Sequence, residues 1–250
     1  MEFTTKAQAI RDTGLTYLGS VSETVKHKKS IKYGELTYSL YLSPAKTSGY
    51  EVCPGRTVEC TKFCLHESGQ NRMVEKKRGE VITNSRIKKT KLFFEEKEFF
   101  MKWLIFEIKS ARSRARRNRM TLSVRLNNTS DISPLDFELY GVNILEIFPD
   151  VQFYDYTKVP DRVELMKRYK NYDVTFSYNG YNIETCKKML SHNVRVAMVF
   201  DKYIPDQYMG YKVINGDDYD MRYRDEPCIV GLKYKEVRTK LNTNIKFVIQ

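Results

Sequence analysis

From residue 35 onward the apolar positions keep two rhythms in turn, and each rhythm predicts a different element. Residues 35–42 (ELTYSLYL) alternate and are rich in β-formers, which predicts a strand. Residues 86–117 carry Phe99, Phe100, Trp103, Leu104, Phe106 and Ile108 at helical spacing, which predicts a long helix broken near Glu95. Strands are then predicted at 121–126, 151–156, 173–177 and 194–200, with helices at 135–148, 162–169 and 183–190 between them. The run VRVAMVF at 194–200 is almost wholly apolar, as in a strand buried on both faces. Shorter strands at 211–214 and 228–232 close the series.

Strand–helix–strand units joined in this order imply a parallel sheet with right-handed crossovers. About six of them predict an α/β chain, either a partial (β/α) barrel or a doubly wound sheet. The polar residues favour the barrel. Arg125, Asn127, Asn128, Ser130 and Asp131 follow one strand, Asp155, Thr157 and Lys158 the next, and Ser177 and Asn179 the one after. Asp201, then Asp217, Asp218 and Asp220, follow two more. A barrel mouth gathers such residues, whereas a flat sheet scatters them. No repeat, low-complexity tract or Pro/Gly linker divides the chain, so one domain over 35–250 is expected. An N-terminal extension, 1–34, precedes it, and its basic stretch 24–32 reads as an exposed arm.

Composition narrows the class. A hydrophobic fraction of 41% with 13% aromatics suits a folded chain and excludes general disorder. The 43 basic and 31 acidic residues give a formal charge of +12, which favours nucleic acid, a nucleotide or an acidic surface as partner, or serves solubility alone. No apolar stretch approaches the roughly 18 residues of a membrane span, and the N-terminus lacks a signal-peptide core. Five cysteines, three of them in one loop, argue against a secreted disulfide framework, so the cytoplasm is the expected compartment.

That loop, 43–70, holds the segment CPGRTVECTKFC, with Cys53, Cys60 and Cys64 at C-x6-C-x3-C spacing. Thiolates are soft ligands, and three on one flexible loop can face an iron–sulfur cluster or a zinc ion. Three cysteines alone suit a 4Fe–4S cubane with one open iron. A structural zinc site needs a fourth ligand, which His66 could supply. The other alternative is three unrelated buried thiols. Cys186 and Cys228 fall inside predicted elements and read as core.

Two resemblances rest on these residues. The runs SLYLSPAKTSGYEVCPGRTVECTKFCLHESG, NSRIKKTKLFF, VRLNNTSDI, FPDVQFYDYTK, VINGDDYDMR and IVGLKYK, in that order, resemble the phage-encoded gene-product-88-like proteins over nearly the whole chain. The chain departs from them at Asn128, where that family has glycine. This resemblance implies a phage or prophage origin, hence a host cytoplasm, and a shared site of no assigned activity. The second resemblance is to radical S-adenosylmethionine enzymes, which also place three cysteines after the first strand of a partial barrel. Phe63 before Cys64 matches their motif; the cysteine spacing differs, and no Gly-Gly-Glu-like segment follows the second strand. It implies a cluster more than it implies S-adenosylmethionine itself.

The remaining polar groups supply candidate chemistry. Arg125, Asn127, Asp131, Asp155 and Lys158 are the candidate catalytic set, at two adjacent strand ends. Ser130, Asp131 or Ser133 could instead cap a helix opening near Pro134, and Lys158 could pair with Asp155. NGDDYD (215–220) reads as an acidic turn or a carboxylate pair for hydroxyls or metal; Lys233 and Lys235 could turn a cation to the mouth. Lys109, Arg112, Arg114, Arg116, Arg117 and Arg119 form a basic run with no acid, either a solvated helix end or a phosphate-binding surface, on the end of the barrel away from the cysteines. No Walker A, Rossmann or nucleophile-elbow motif occurs, and three histidines leave little room for His-based catalysis. An iron–sulfur enzyme acting on a small or nucleotide-type substrate, a metal-stabilised nucleic-acid-binding module and an electron carrier are the classes that remain.

Overall fold

In a computed structural model, residues 2–15, 25–64, 77–235, 241 and 244–250 are described. Two helices open the chain, α1 (Lys6–Thr13) and α2 (Val25–Ser30), before strand β1 (Glu35–Ser39). Three helices follow, α3 (Val58–Lys62), α4 (Lys77–Glu95) and α5 (Lys97–Arg117), then β2 (Thr121–Arg125). A hairpin of β3 (Glu138–Leu139) and β4 (Val142–Asn143) leads through α6 (Ile144–Ile147) to β5 (Gln152–Thr157). Then come α7 (Leu165–Arg168), β6 (Tyr172–Ser177), α8 (Ile183–Ser191) and β7 (Val196–Phe200). The chain ends with β8 (Gln207–Tyr208), β9 (Tyr211–Asn215), β10 (Ile229–Lys233) and β11 (Val248–Ile249). Among these residues no helix is long and apolar enough to cross a membrane.

The fold is mixed α/β, built on one large, mostly parallel sheet in the order β1-β2-β5-β6-β7-β10-β9-β8, with β11 also on β7. Only β8 runs antiparallel to its neighbour. From β1 to β7 each parallel strand lies beside the one before it, so the chain winds in one direction. The sheet does not close, since the edge strands β1 and β8 do not pair with one another. It does curl. Arg125 of β2, Tyr156 of β5, Ser177 of β6, Val199 of β7 and Leu232 of β10 line a single cavity of about 220 Å³. On a flat sheet β2 and β10 would stand four steps of about 4.8 Å, about 19 Å, apart.

Alternation along the strands sorts two interiors. Leu36, Leu122, Val124, Phe153, Val174, Phe176, Val196 and Met198 belong to the main apolar core, which α5 completes with Phe100, Trp103, Leu104 and Ile108. The intervening residues Thr37, Ser123, Arg125, Tyr154, Tyr156 and Thr175 face the concave side. Thr37, Ser123 and Thr175 are fully buried there, and the first two share a hydroxyl hydrogen bond of 3.2 Å. The segment 216–228, which joins β9 to the parallel β10, crosses this side. Asp220 pairs with Arg125 at 3.1 Å, Tyr223 packs on Tyr154 at 5.5 Å, and Arg224 reaches Glu35 at 2.9 Å.

Several expectations need correction. The helix expected at 135–148 is a 3-10 turn (Pro134–Asp136), the β3–β4 hairpin and the one-turn α6. Tyr140 and Gly141, both at positive φ, force the reversal, and Asn143 caps α6 by accepting from Leu145 and Glu146. The basic stretch 24–32, expected as an exposed arm, contains helix α2, with Lys28, Ile31 and Lys32 exposed and Ser30 buried. Residues 2–15 pack into the main core through Phe3, Ala9 and Leu15. Regular helical crossovers are fewer than six, because the links after β2, β7 and β9 contain no helix longer than a single turn. The long helix does break where expected, between α4 and α5 at Glu96.

Candidate functional site

The cysteine loop is pinned at its start by pairing that outlasts β1. Leu40 donates to Arg125 O at 2.8 Å and accepts from Asn128 N at 3.2 Å, so β1 and β2 remain joined beyond their ends. Leu40, Leu42 and Val52 are fully buried anchors. Val52 donates to Ala45 O and accepts from Asp131 N at 2.7 Å, which sets Cys53 beside the end of β2. A turn follows, closed by Arg56 N to Cys53 O at 3.0 Å. Gly55 at this turn meets the end of β5 so closely that a Cβ would lie 2.9 Å from the carbonyl carbon and oxygen of Lys158.

Helix α3 carries Cys60, and Cys64 lies just past its end. Thr57 caps it, accepting from Cys60 N at 3.1 Å while donating to Asn179 O beyond β6 at 3.0 Å. Glu59 ties the helix to the far end of the chain. Its carboxylate accepts from Lys246 N, Phe247 N and the Tyr181 hydroxyl at 2.7–2.9 Å. This C-terminal segment enters the sheet as β11, on the edge of β7 that β6 vacates after Ser177. Phe63 is buried against Tyr234 and Phe247.

All three cysteines are outside any disulfide, half-buried, and line the cavity at the C-terminal ends of the strands. Arg125, Asn127, Asp131 and Lys158 line it with them, as the strand-end pattern predicts. Asp155 does not; it is buried behind the wall. Cys186 and Cys228 are buried elsewhere, and His66 lies outside the described residues. Among the described residues no group of three His, Cys, Asp or Glu side chains is arranged to hold a metal ion. What fits a cluster is the donor chemistry: three thiols around one cavity, with Lys158 beside them. Burial pulls the Lys158 ammonium down, but Cys60, Asp131, Cys53 and Cys64 around it outweigh burial and leave its pKa raised. Burial pushes the Cys53 thiol up to about 12, with Cys64 and Asp131 adding to the rise.

The two carboxylates do different work from that expected. Asp155 does not pair with Lys158; it accepts from Asn127 N at 2.8 Å and from Asn127 Nδ2 at 2.9 Å. Burial still dominates and lifts its carboxyl to about 7. Asp131 accepts from the Thr157 hydroxyl and Lys158 N, both at 2.8 Å, and pairs with the buried Arg162 at 3.2 Å. It is therefore the clasp that holds the loop after β2 to the end of β5. Ser133, one of the three proposed caps, does cap the 3-10 turn, and Asn127 braces Ser130 and Ile132.

In the acidic turn, Asp217 accepts from Lys233 N and pairs with Lys235 at 3.4 Å, while Asp218 accepts from Asn215. Lys233 and Lys235 both reach the cavity. The basic run occupies the end of α5 that feeds the start of β2, at the opposite end of that strand from Arg125. Arg112 and Arg116 pair with Asp150 at 2.9 Å, and Arg114 donates to the Tyr38 hydroxyl. Sequence reasoning missed Glu59, Phe247 and the close approach of Gly55 to Lys158. Glu59 directly precedes a cysteine, but its partners are main-chain groups nearly 190 residues away, which no local pattern announces.

Residues 13–248 match the family model described as Gene product 88. The chain belongs to the gene product 88 family. No curated protein and no solved structure matches it. The comparisons made with this gene product 88 protein give no support to a likeness to radical S-adenosylmethionine enzymes.

Proposed function

We propose that this gene product 88 protein is an iron–sulfur protein of the host cytoplasm, of phage origin, and an enzyme acting on a small or nucleotide-type substrate. Cys53, Cys60 and Cys64 would hold a 4Fe–4S cluster and leave one iron open to the cavity. When bound, such a cluster supplies an iron that can ligate a substrate or pass it an electron. The observation that carries the reading is the sharing of one cavity by three thiols and by Arg125, Asn127, Asp131 and Lys158. A cluster with a purely structural role would call for apolar shielding, because unpaired buried charges cost several kcal/mol. Here Asp131 fixes the loop, Lys158 would balance the charge of cluster-bound thiolates, and Arg125 presents a cation already steadied by Asp220.

The one-directional strand order and the curl favour a partial (β/α) barrel, with the site at its C-terminal mouth. S-adenosylmethionine as a ligand of the open iron and zinc as the resident metal are lesser forms of the same reading. Anaerobically purified protein is expected to be brown and its Cys60→Ala variant colourless. A variant that keeps the full colour overturns the ligand assignment.

A second reading has its own observation. Lys109, Arg114, Arg117 and Arg119 are exposed on one helix end and make no ion pair with a described carboxylate. That surface suits the phosphates of DNA or RNA, in a module whose metal site only stabilises the fold.

A further inference from the structure

The charges lining the cavity do not balance. Each acid there is already paired: Asp131 with Arg162, Asp220 with Arg125 and Asp217 with Lys235. Arg56 is paired outward, with Glu51 at 2.9 Å. Two lining cations remain, Lys158 and Lys233, and no described carboxylate lies within ion-pair distance of either ammonium. Three thiolates on a cluster would answer Lys158. Among the described residues no carboxylate answers Lys233.

The lining also has donors to spare. Arg125 lies over the Tyr156 ring at 4.6 Å, and both line the cavity. Arg125 Nε and the Tyr156 hydroxyl are buried without a hydrogen-bond partner. Buried donors in native proteins are nearly always satisfied, so a pair left over at a cavity wall favours negative charge next to it. Aromatic rings share the lining: Phe63, Tyr178, Tyr234 and Phe247, with Phe63 edge-on to Tyr234 at 6.1 Å and near-parallel to Phe247 at 6.5 Å.

We propose that the cavity binds a nucleotide, with its phosphate on Lys233 and its base against Phe63, Tyr234 and Phe247. Cations select the oxyanion and aromatic faces the planar ring, and neither alone explains a lining made of both. The inference deepens the substrate reading above and depends on it for the role of the cavity.

The test is calorimetry on the full-length chain with adenosine 5′-monophosphate, adenosine and inorganic phosphate as separate probes. The monophosphate should bind more tightly than either fragment. Lys233→Ala, an exposed position that the fold does not need, should weaken it about tenfold and leave adenosine unchanged. Lys233→Arg should restore most of the loss. Tyr234→Ala should weaken the monophosphate and adenosine alike. No binding of the monophosphate, or binding indifferent to Lys233→Ala, overturns the inference. Iron is assayed in the same samples, so the two readings fail separately. Binding by iron-free protein removes the cluster and keeps the nucleotide site, whereas iron-loaded protein that binds no monophosphate does the reverse.

Discussion

Asp155 shows how burial alone can set the behaviour of one residue. Its carboxyl, ordinarily near 3.8, is lifted to about 7 because burial outweighs the two N–H groups of Asn127 and the charge of Arg125. Between those two values the folded chain keeps a proton that the unfolded chain has released. Stability contributed by this group is therefore full below about pH 3.8 and falls as pH rises towards 7. Urea midpoints at pH 5 and pH 7.5 should show the fall, and Asp155→Asn should remove that part of it. A variant with the same pH dependence as the wild type would contradict the assignment. The residue was legible as polar and strand-terminal, but its role was not. Alternation fixes which face of β5 a side chain takes, and whether that face is cavity or wall depends on Asn127, 28 positions away.

At the scale of elements, the turn at Gly55 and the end of β5 behave as one unit. A methyl group at 55 would meet the carbonyl carbon and oxygen of Lys158 at 2.9 Å, and backbone cannot swing aside as a flexible side chain can. Gly55→Ala should therefore displace the cysteine loop, with iron content falling by about half or more while the melting temperature drops only a few degrees. Iron at the wild-type level in that variant would show that the loop seats itself by other contacts. Elements with a strong period were readable from the chain, namely α5, α8 and strands β2, β5, β6, β7 and β10. The stretch 135–148 was misread because Phe137, Ile144, Leu145 and Phe148 recur at helical spacing while folding around a hairpin. There Tyr140 and Gly141 decide the path, and the apolar pattern only records burial. The strand β11 carries no signal of its own; its place exists because β6 leaves β7.

For the whole molecule, the curl of the sheet and the crossing of 216–228 on its concave side bring distant charges together at one mouth and leave the basic run at the other end. If that run binds DNA or RNA, neutralising Arg112, Arg114, Arg116 and Arg117 together should weaken binding and flatten its salt slope. Because Arg112 and Arg116 already hold Asp150, the slope should fall by about 2 rather than by the full four charges. Unchanged binding would leave a solvated helix end. The central claim lies at the mouth, where three thiols share a cavity with a polar ligand set. Its most direct test is the iron and acid-labile sulfide content of the full-length chain, purified and kept without oxygen. About four of each per chain is the expected result for a 4Fe–4S cluster, lost together in Cys53→Ala, Cys60→Ala or Cys64→Ala. Stoichiometric zinc with no labile sulfide would contradict it.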